Sequence, residues 1–379
     1  MDPRRVDFNL PQFVGGELEN ISRALEARYL AGNGEFGRRC EALLEAALGA
    51  RRVLLTTSCT HALEMAGLLL DLEPGDEVIV PAYTFVSTVN AFALRAGVRP
   101  VFCDVREDTL NLDEAHLARL IGPRTRAVVP VHYAGVAVEL DRVLELCGDR
   151  VAVVEDNAHG LFGRYHGRAL GTFGRLAALS FHETKNFICG EGGALIVNDP
   201  SLVQRAEIIR EKGTNRARFF RGEVDRYTWV GVGSSYVLSD VLAAILLAQL
   251  EARDRIQASR AAVWTRYQEG LAPWAEALGV RQPIVPSGVE QSYHLYYLLL
   301  PTPEQRTRLL AHLRARGIHG VFHYQPLHLS EMGRGYGGRP GDCPVTESVC
   351  DRLVRLPFHT FMQPEAQDQV IAAVNEFLP

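Results

Sequence analysis

The chain has 379 residues, 47% of them hydrophobic and 22% charged, which describes a globular protein longer than one ordinary domain. Its formal net charge of −5 supplies no field for nucleic acid or an anionic membrane, and no apolar run approaches the roughly 20 residues a spanning helix needs. Seven cysteines without a Cys-x-x-Cys pair, and a start lacking a signal peptide's apolar stretch, lead us to expect a cytoplasmic location.

An irregular arm with Pro3 and Pro11 comes first. Leu18, Ile21, Leu25 and Tyr29 predict a helix over 18–30, and after Gly32-Asn33-Gly34 a second runs over 37–48. That break reads equally as a linker or as a substrate-site rim at Gly32. An apolar strand at 53–55 leads through Thr56-Thr57-Ser58-Cys59-Thr60 into a helix reaching 70. Hydroxylated residues at such a junction mark a phosphate site, with free N–H groups at the positive end of the helix dipole. Ordinary N-capping by Thr57 or Ser58 explains the same residues.

Pro74-Gly75-Asp76 turns into a strand at 77–80, and a helix opening between Pro81 and Thr88 extends to 94. Tyr83 and Phe85 belong either to the core or over a flat ligand. Strands at 100–105, 127–131 and 151–155 alternate with helices at 113–121 and 139–146. A strand at 177–181 enters Ser180-Phe-His-Glu-Thr-Lys185-Asn186 and the run Gly190-Glu-Gly-Gly193, followed by a strand at 192–197 and a helix at 202–211.

This alternation predicts an α/β fold, a mostly parallel sheet flanked by helices, with ligands beyond the carboxyl ends of its strands. Thr57 to Thr60, Phe85, His132, Asp156 and Ser180 to Lys185 all fall at or after such ends. A lysine is usually solvated. One set among Ser, Thr and His beside glycines, with Asp156 ending a strand upstream, points instead to pyridoxal phosphate. Lys185 would hold it as a Schiff base and Asp156 would pair with the pyridine nitrogen.

The basic, aromatic stretch from Lys212 to Arg221 is too irregular for a helix face. It is either a solvated loop or a segment whose Arg216 and Arg218 hold a diphosphate or carboxylate. A Gly-Ser turn at 231–236 precedes an apolar helix at 241–250 and an amphipathic stretch to 267. The expected division is 1–250, a large cofactor-binding domain with the N-terminal arm, and 251–379, a smaller α+β domain. The latter has helices at 302–316 and 364–377 and strands at 295–300 and 320–322. His328 closes His-Tyr-Gln-Pro-Leu-His, ahead of a five-glycine segment, Gly333 to Gly341, expected to be a mobile loop or lid.

Taken in order, five motifs resemble the nucleotide-sugar aminotransferases of the DegT/StrS type over essentially the whole chain. They are Thr57-Ser58-x-Thr60-x-Ala62-Leu63, Pro81-x-x-Thr84-Phe85-Val86-Ser87-Thr88, Val154-Glu155-Asp156-x-Ala158-His159-Gly160, Ser180-Phe181-His182-x-Thr184-Lys185-Asn186 and the glycine run. The resemblance implies fold type I of the pyridoxal-phosphate enzymes, like aspartate aminotransferase, and a homodimer with active sites at the subunit interface. It implies Lys185 as covalent anchor and acid-base catalyst, Asp156 on the ring nitrogen, His159 beside the phenolic oxygen and Phe85 stacked on the ring. Ser180 and the backbone amides of Cys59 and Thr60 would hold the phosphate. Cys59 stands where Gly is commoner, and Ser235 where many members place an Asn reaching the partner's phosphate.

The stretches 58–60, 210–216, 219–222 and 233–236 are closest to members that aminate C4 of dTDP-4-keto-6-deoxy-D-glucose with L-glutamate. Their product is dTDP-4-amino-4,6-dideoxy-D-galactose. Gly32, Arg216, Arg218 and His328 are the weaker substrate-contact candidates. The alternatives are another nucleotide keto-sugar (3-keto, or a gluco outcome), a sugar dehydratase, whose members carry His in place of Lys185, and a non-catalytic sugar-nucleotide-binding regulator. No metal, nucleic acid or membrane partner is expected.

Overall fold

The structure is a computed structural model, and it describes residues 5–378. Strands β1 (Arg52–Thr56), β2 (Glu77–Pro81), β3 (Arg99–Cys103), β4 (Thr125–Val128), β5 (Ala152–Asp156), β6 (Arg164–Tyr165), β7 (Arg168–Ala169), β8 (Leu176–Ser180) and β9 (Gly193–Val197) come first. Seven of them form the main sheet in the order β1-β9-β8-β5-β4-β2-β3. β3, β2, β4, β5 and β8 run parallel, while β9 is antiparallel to both its neighbours. The first residue of β9, Gly193, therefore lies beside the last residues of β1 and β8, Thr56 and Ser180. β10 (Val289–Glu290) completes a three-stranded ribbon with β6 and β7, and β11 (Tyr297–Leu299) pairs with β12 (Leu353–Arg355).

Helices α1 (Glu17–Glu26), α2 (Glu35–Leu48), α3 (Cys59–Leu69), α4 (Val86–Ala93), α5 (Glu114–Leu120), α6 (Leu140–Cys147), α7 (Val203–Arg210), α8 (Arg216–Phe220) and α9 (Asp240–Glu251) precede α10 (Arg253–Leu278). α11 (Pro303–Ala315), α12 (Glu331–Gly335), α13 (Pro344–Arg352) and α14 (Pro364–Asn375) follow.

Both faces of the sheet are covered, so its strands are apolar at successive positions. Leu54, Val80, Val154, Ala178 and Leu195 pack with Ala62, Leu63 and Ala66 of α3. Their neighbours Val53, Leu55, Ala177, Leu179 and Ile196 pack with Cys40 and Leu44 of α2 and with Ala244 and Leu247 of α9. A separate cluster joins Tyr267, Leu271 and Trp274 of α10 to Leu309, Val354 and Val370, and takes in Val6 from the N-terminal arm. Tyr83 and Tyr133, at the carboxyl edge of the sheet, cluster with Leu295, Tyr297 and Leu353 and fasten β11 and β12 to that edge.

Several elements differ from the sequence expectation. The helix expected to fade at 267 runs 26 residues, because Leu271 and Trp274 continue its buried stripe past Pro273. Part of the irregular basic stretch forms the short helix α8. Residues 320–322 give only an isolated bridge, Val321 to Arg355. In the five-glycine segment α12 forms, and Gly333 and Gly338 pack so closely on the backbone of Leu327 and His328 that a Cβ would overlap it. Among the described residues no helix is long and apolar enough to cross a membrane.

Candidate active site

A cavity of about 440 Å³ opens at the carboxyl edge of the sheet. Asp156 and Ser180 reach it from the ends of β5 and β8, Cys59 and Thr60 from the start of α3, Phe85 and Thr88 from the start of α4, and Lys185 from the turn after β8. His323, Tyr324 and Arg355 close it from the C-terminal side, and Phe8 and Asn9 from the N-terminal arm.

The turn carrying Lys185 is cross-braced. Glu183 N–H donates to Gly190 O and Lys185 N–H to His182 O, both at 2.9 Å. Next to it, the Asn186 amide donates to Ser292 O at 2.7 Å and its Oδ1 lies 2.9 Å from His294 Nδ1. Burial pulls the Lys185 ammonium down to about 8; Arg355 adds to the shift, while Cys59 and Asp156 oppose it.

Asp156 accepts from Thr88 Oγ1 at 2.7 Å and from Ala158 N–H at 3.2 Å. Burial pushes its carboxyl up, and these hydrogen bonds and Lys185 pull it back. Thr88 is itself hydrogen-bonded to Thr84 at 2.9 Å. The preceding residue, Glu155, is wholly buried. It accepts from the N–H groups of Gly171, Phe173 and Gly174 and lies 3.0 Å from His132 Nε2. His132 is thus engaged within the fold and does not line the cavity.

At α3, Ser58 Oγ accepts from His61 N–H at 3.1 Å and Ser58 O from Ala62 N–H at 3.2 Å. The N–H groups of Cys59 and Thr60 keep no acceptor among the described residues, nor does the Ser180 hydroxyl have a partner. Capping and a free anion site therefore coexist at one terminus. Gly193 is needed behind it, since a Cβ there would overlap Cys59 N and the Ser58 carbonyl. This last glycine of the run brings backbone close to the helix terminus rather than to a ligand. Burial pushes the Cys59 thiol up, so it stays protonated.

His159 stacks on His294 with centroids 4.0 Å apart, and burial holds both rings neutral. The Nδ1 of His159 is buried without a partner. Tyr324 sits at φ 57 with its ring 3.6 Å from that of His323, a left-handed residue of the kind that gathers at binding sites.

The other named residues lie elsewhere in the single chain. Gly32 packs on Val237, where a Cβ would overlap the valine side chain. His328 is inaccessible, with Nε2 3.0 Å from Glu347. Arg216 faces Glu211 at 4.0 Å and lies over the Phe220 ring, and Arg218 pairs with Glu223 at 3.1 Å. Ser235 is exposed and bridged to Glu211. None of these lines the cavity. Thr88, His294, His323 and Arg355 do line it. Thr88 lies in a quoted motif, but the others come from distant segments with no spacing that ties them to Lys185.

This is the architecture of the fold type I aminotransferases. The model of the DegT/DnrJ/EryC1/StrS aminotransferase family matches residues 12–375, and the chain belongs to that family. It is 30% identical to the spore coat polysaccharide biosynthesis protein SpsC of Bacillus subtilis, over 98% of this chain and 97% of that one. Among solved structures, the aminotransferase TlmJ of Streptoalloteichus hindustanus is 33% identical with a TM-score of 0.88 over 98% of each chain. DesV of S. venezuelae, solved in complex with a ketimine intermediate, is 30% identical with a TM-score of 0.88 over 99% of this chain and 100% of its own. Pyridoxal phosphate is the cofactor of such enzymes, and the residues present fit it. There is an amine for its carbonyl, a buried carboxylate for its ring nitrogen, and unpaired N–H and hydroxyl groups for its phosphate.

Proposed function

We propose that this aminotransferase moves an amino group from L-glutamate to the 4-keto carbon of dTDP-4-keto-6-deoxy-D-glucose, giving dTDP-4-amino-4,6-dideoxy-D-galactose for a cell-surface glycan. The observation that carries the reading is the convergence of Lys185 and Asp156 on one cavity beside the unpaired N–H groups of Cys59 and Thr60. A polysaccharide role printed for SpsC supports a sugar acceptor. The stretches at 58–60, 210–216, 219–222 and 233–236 support amination at C4.

Pyridoxal phosphate, when bound, supplies a carbonyl that exchanges amines and a ring that takes up charge from the adjacent carbon. Lys185 would anchor it at rest, and once displaced its Nζ would carry a proton between the donor carbon and C4′ of the cofactor. With its ammonium pulled down to about 8, the same nitrogen can accept and return that proton near neutral pH. Asp156, oriented by Thr88 and Ala158 N–H, would keep a proton on the ring nitrogen. The α3 terminus and Ser180 would bind the phosphate. Phe85, 57% exposed at the mouth, is placed to cover the ring and exclude water. Neutral His159, whose buried Nδ1 has no partner in the chain, would offer the phenolic oxygen a hydrogen-bonding group without charge.

A second copy of the chain completes the assembly in this reading. Phe220, Tyr227 and Trp229 are 69%, 53% and 76% exposed on one short segment, an apolar display that a lone soluble chain seldom carries. The deciding experiment is product NMR after incubation with L-glutamate and the 4-keto sugar nucleotide. An axial amine at C4 is expected. An equatorial amine gives the gluco alternative, and an unreacted sugar overturns the proposed acceptor.

A further inference from the structure

We propose that the chain carries a second ligand site, apart from the amine-transfer cavity, that takes an uncharged pyranosyl group. A cleft of about 1050 Å³ lies between α10 and the ribbon of β6 and β10, and it shares no lining residue with the cavity at Lys185. Its occupation depends on nothing proposed for Lys185. Residues 253, 257, 264 and 268 of α10 line it, at intervals of four, seven and four that put them on one stripe of the helix. Gln291, directly after β10, belongs to the lining as well.

The polar side chains of this lining are unspent. Gln291 is 7% exposed, and its amide makes no hydrogen bond among the described residues. On α10, Gln257 Oε1 and Trp264 Nε1 are buried without a partner. Gln268 accepts from the Tyr296 hydroxyl at 3.0 Å, while its amide nitrogen keeps no acceptor. By contrast, the buried amides of Asn111 and Gln367 donate to main-chain carbonyls of the fold. Leaving a buried polar group unpaired is costly, so amides gathered unpaired on one cleft mark where the polar groups of a ligand go.

The chemistry of the lining selects the ligand. A side-chain amide both donates and accepts, as each sugar hydroxyl does, and the indole N–H adds a donor. Flat rings suit the C–H faces of a pyranose. Trp264 supplies one, and Tyr293 and Phe162 supply two more from left-handed backbone at φ 55 and φ 67. The formal charges of the lining cancel. Arg253 pairs with Asp254 at 3.3 Å, while Arg164 is the register partner of Glu290 and donates to Gly167 O at 2.9 Å. A phosphate or carboxylate would therefore meet no net positive field, and a purely apolar ligand would leave the glutamines unpaired. A pyranose uses both the amides and the rings, and the cleft leaves room for the group that bears it.

The test applies saturation-transfer NMR and calorimetry to the cofactor-loaded enzyme, with methyl α-D-gluco-, galacto- and mannopyranoside as probes. Maltotriose and dTDP-glucose present the same kind of ring at a chain end or on a nucleotide, and whichever binds tighter than the methyl pyranosides identifies the source. At least one methyl pyranoside should bind with a dissociation constant of about 1 mM, which neutral contacts to so small a ligand allow. Gln291→Leu and Gln257→Leu should each weaken it roughly 10-fold or more, without lowering the melting temperature, because each removes an unpaired polar group. Gln257→Leu carries the test if Gln291→Leu fails to fold. Absence of binding by every probe at ten times that concentration, or binding untouched by both variants, would overturn the site. Inorganic pyrophosphate binding more tightly than any pyranoside, and released by Arg253→Ala, would make it an anion site and overturn the assignment to a sugar.

Discussion

At Lys185, burial, helped by the charge of Arg355, outweighs the opposing pull of Cys59 and Asp156 and leaves the ammonium at about 8. Below that value the group is mostly protonated and cannot accept a proton; above it the free amine predominates. Proton transfer after displacement should therefore speed up as pH rises through about 8 and then level off, measured as single-turnover rates with saturating L-glutamate. A profile flat from about pH 6 to 9 contradicts this, because an unshifted lysine would titrate near 10.4 instead. Lys185→Ala should cost roughly 10²- to 10⁴-fold or more in amine transfer, the usual share of a positioned acid-base group. It should also leave nothing for borohydride to fix.

At the scale of elements, the site depends on β9 being reversed. That reversal sets Gly193 between the ends of β1 and β8 and directly behind the first turn of α3. A side chain there meets backbone atoms, which cannot swing aside. Gly193→Ala should destabilise the fold by about 1–3 kcal/mol, as overpacking does, and weaken cofactor retention by shifting the Cys59 and Thr60 N–H groups. Thermal melting and absorbance titration with pyridoxal phosphate measure the two effects. Gly122→Ala, where a Cβ meets nothing closer than Leu120 O at 3.9 Å, is the control and should change neither. Equal behaviour of the two variants would show that the close approach behind α3 is dispensable.

At the scale of the molecule, the cavity draws its wall from the N-terminal arm, the sheet edge and β12, and the proposed second copy would cover the aromatic segment after α8. Trp229→Asp combined with Phe220→Asp puts charge where apolar surface must be buried, and analytical ultracentrifugation should show a dimer becoming a monomer. A wild-type chain already monomeric at micromolar concentration, or a double variant still dimeric, counts against the interface.

The local code accounts for much of this protein. Short continuous apolar runs, turn glycines and hydroxylated helix starts placed the seven strands of the main sheet and brought Asp156, Ser180 and Lys185 to its carboxyl edge, because each signal lies within a few residues of the group it positions. The two-residue strands of the ribbon were too short to show a period, and α10 outran its amphipathic pattern because its last turns are buried against α14. Tertiary structure alone decided the remaining wall of the site. Arg355, His294 and His323 sit more than a hundred residues from Lys185 and reach it only through packing of the C-terminal strands on the sheet edge. His328, equally prominent in the sequence, was turned inward to Glu347 by the close packing of Gly333 and Gly338. Apolar runs, helical spacing and turn chemistry are short-range and legible in a chain; which distant side chain fills a shared cavity depends on how whole elements dock.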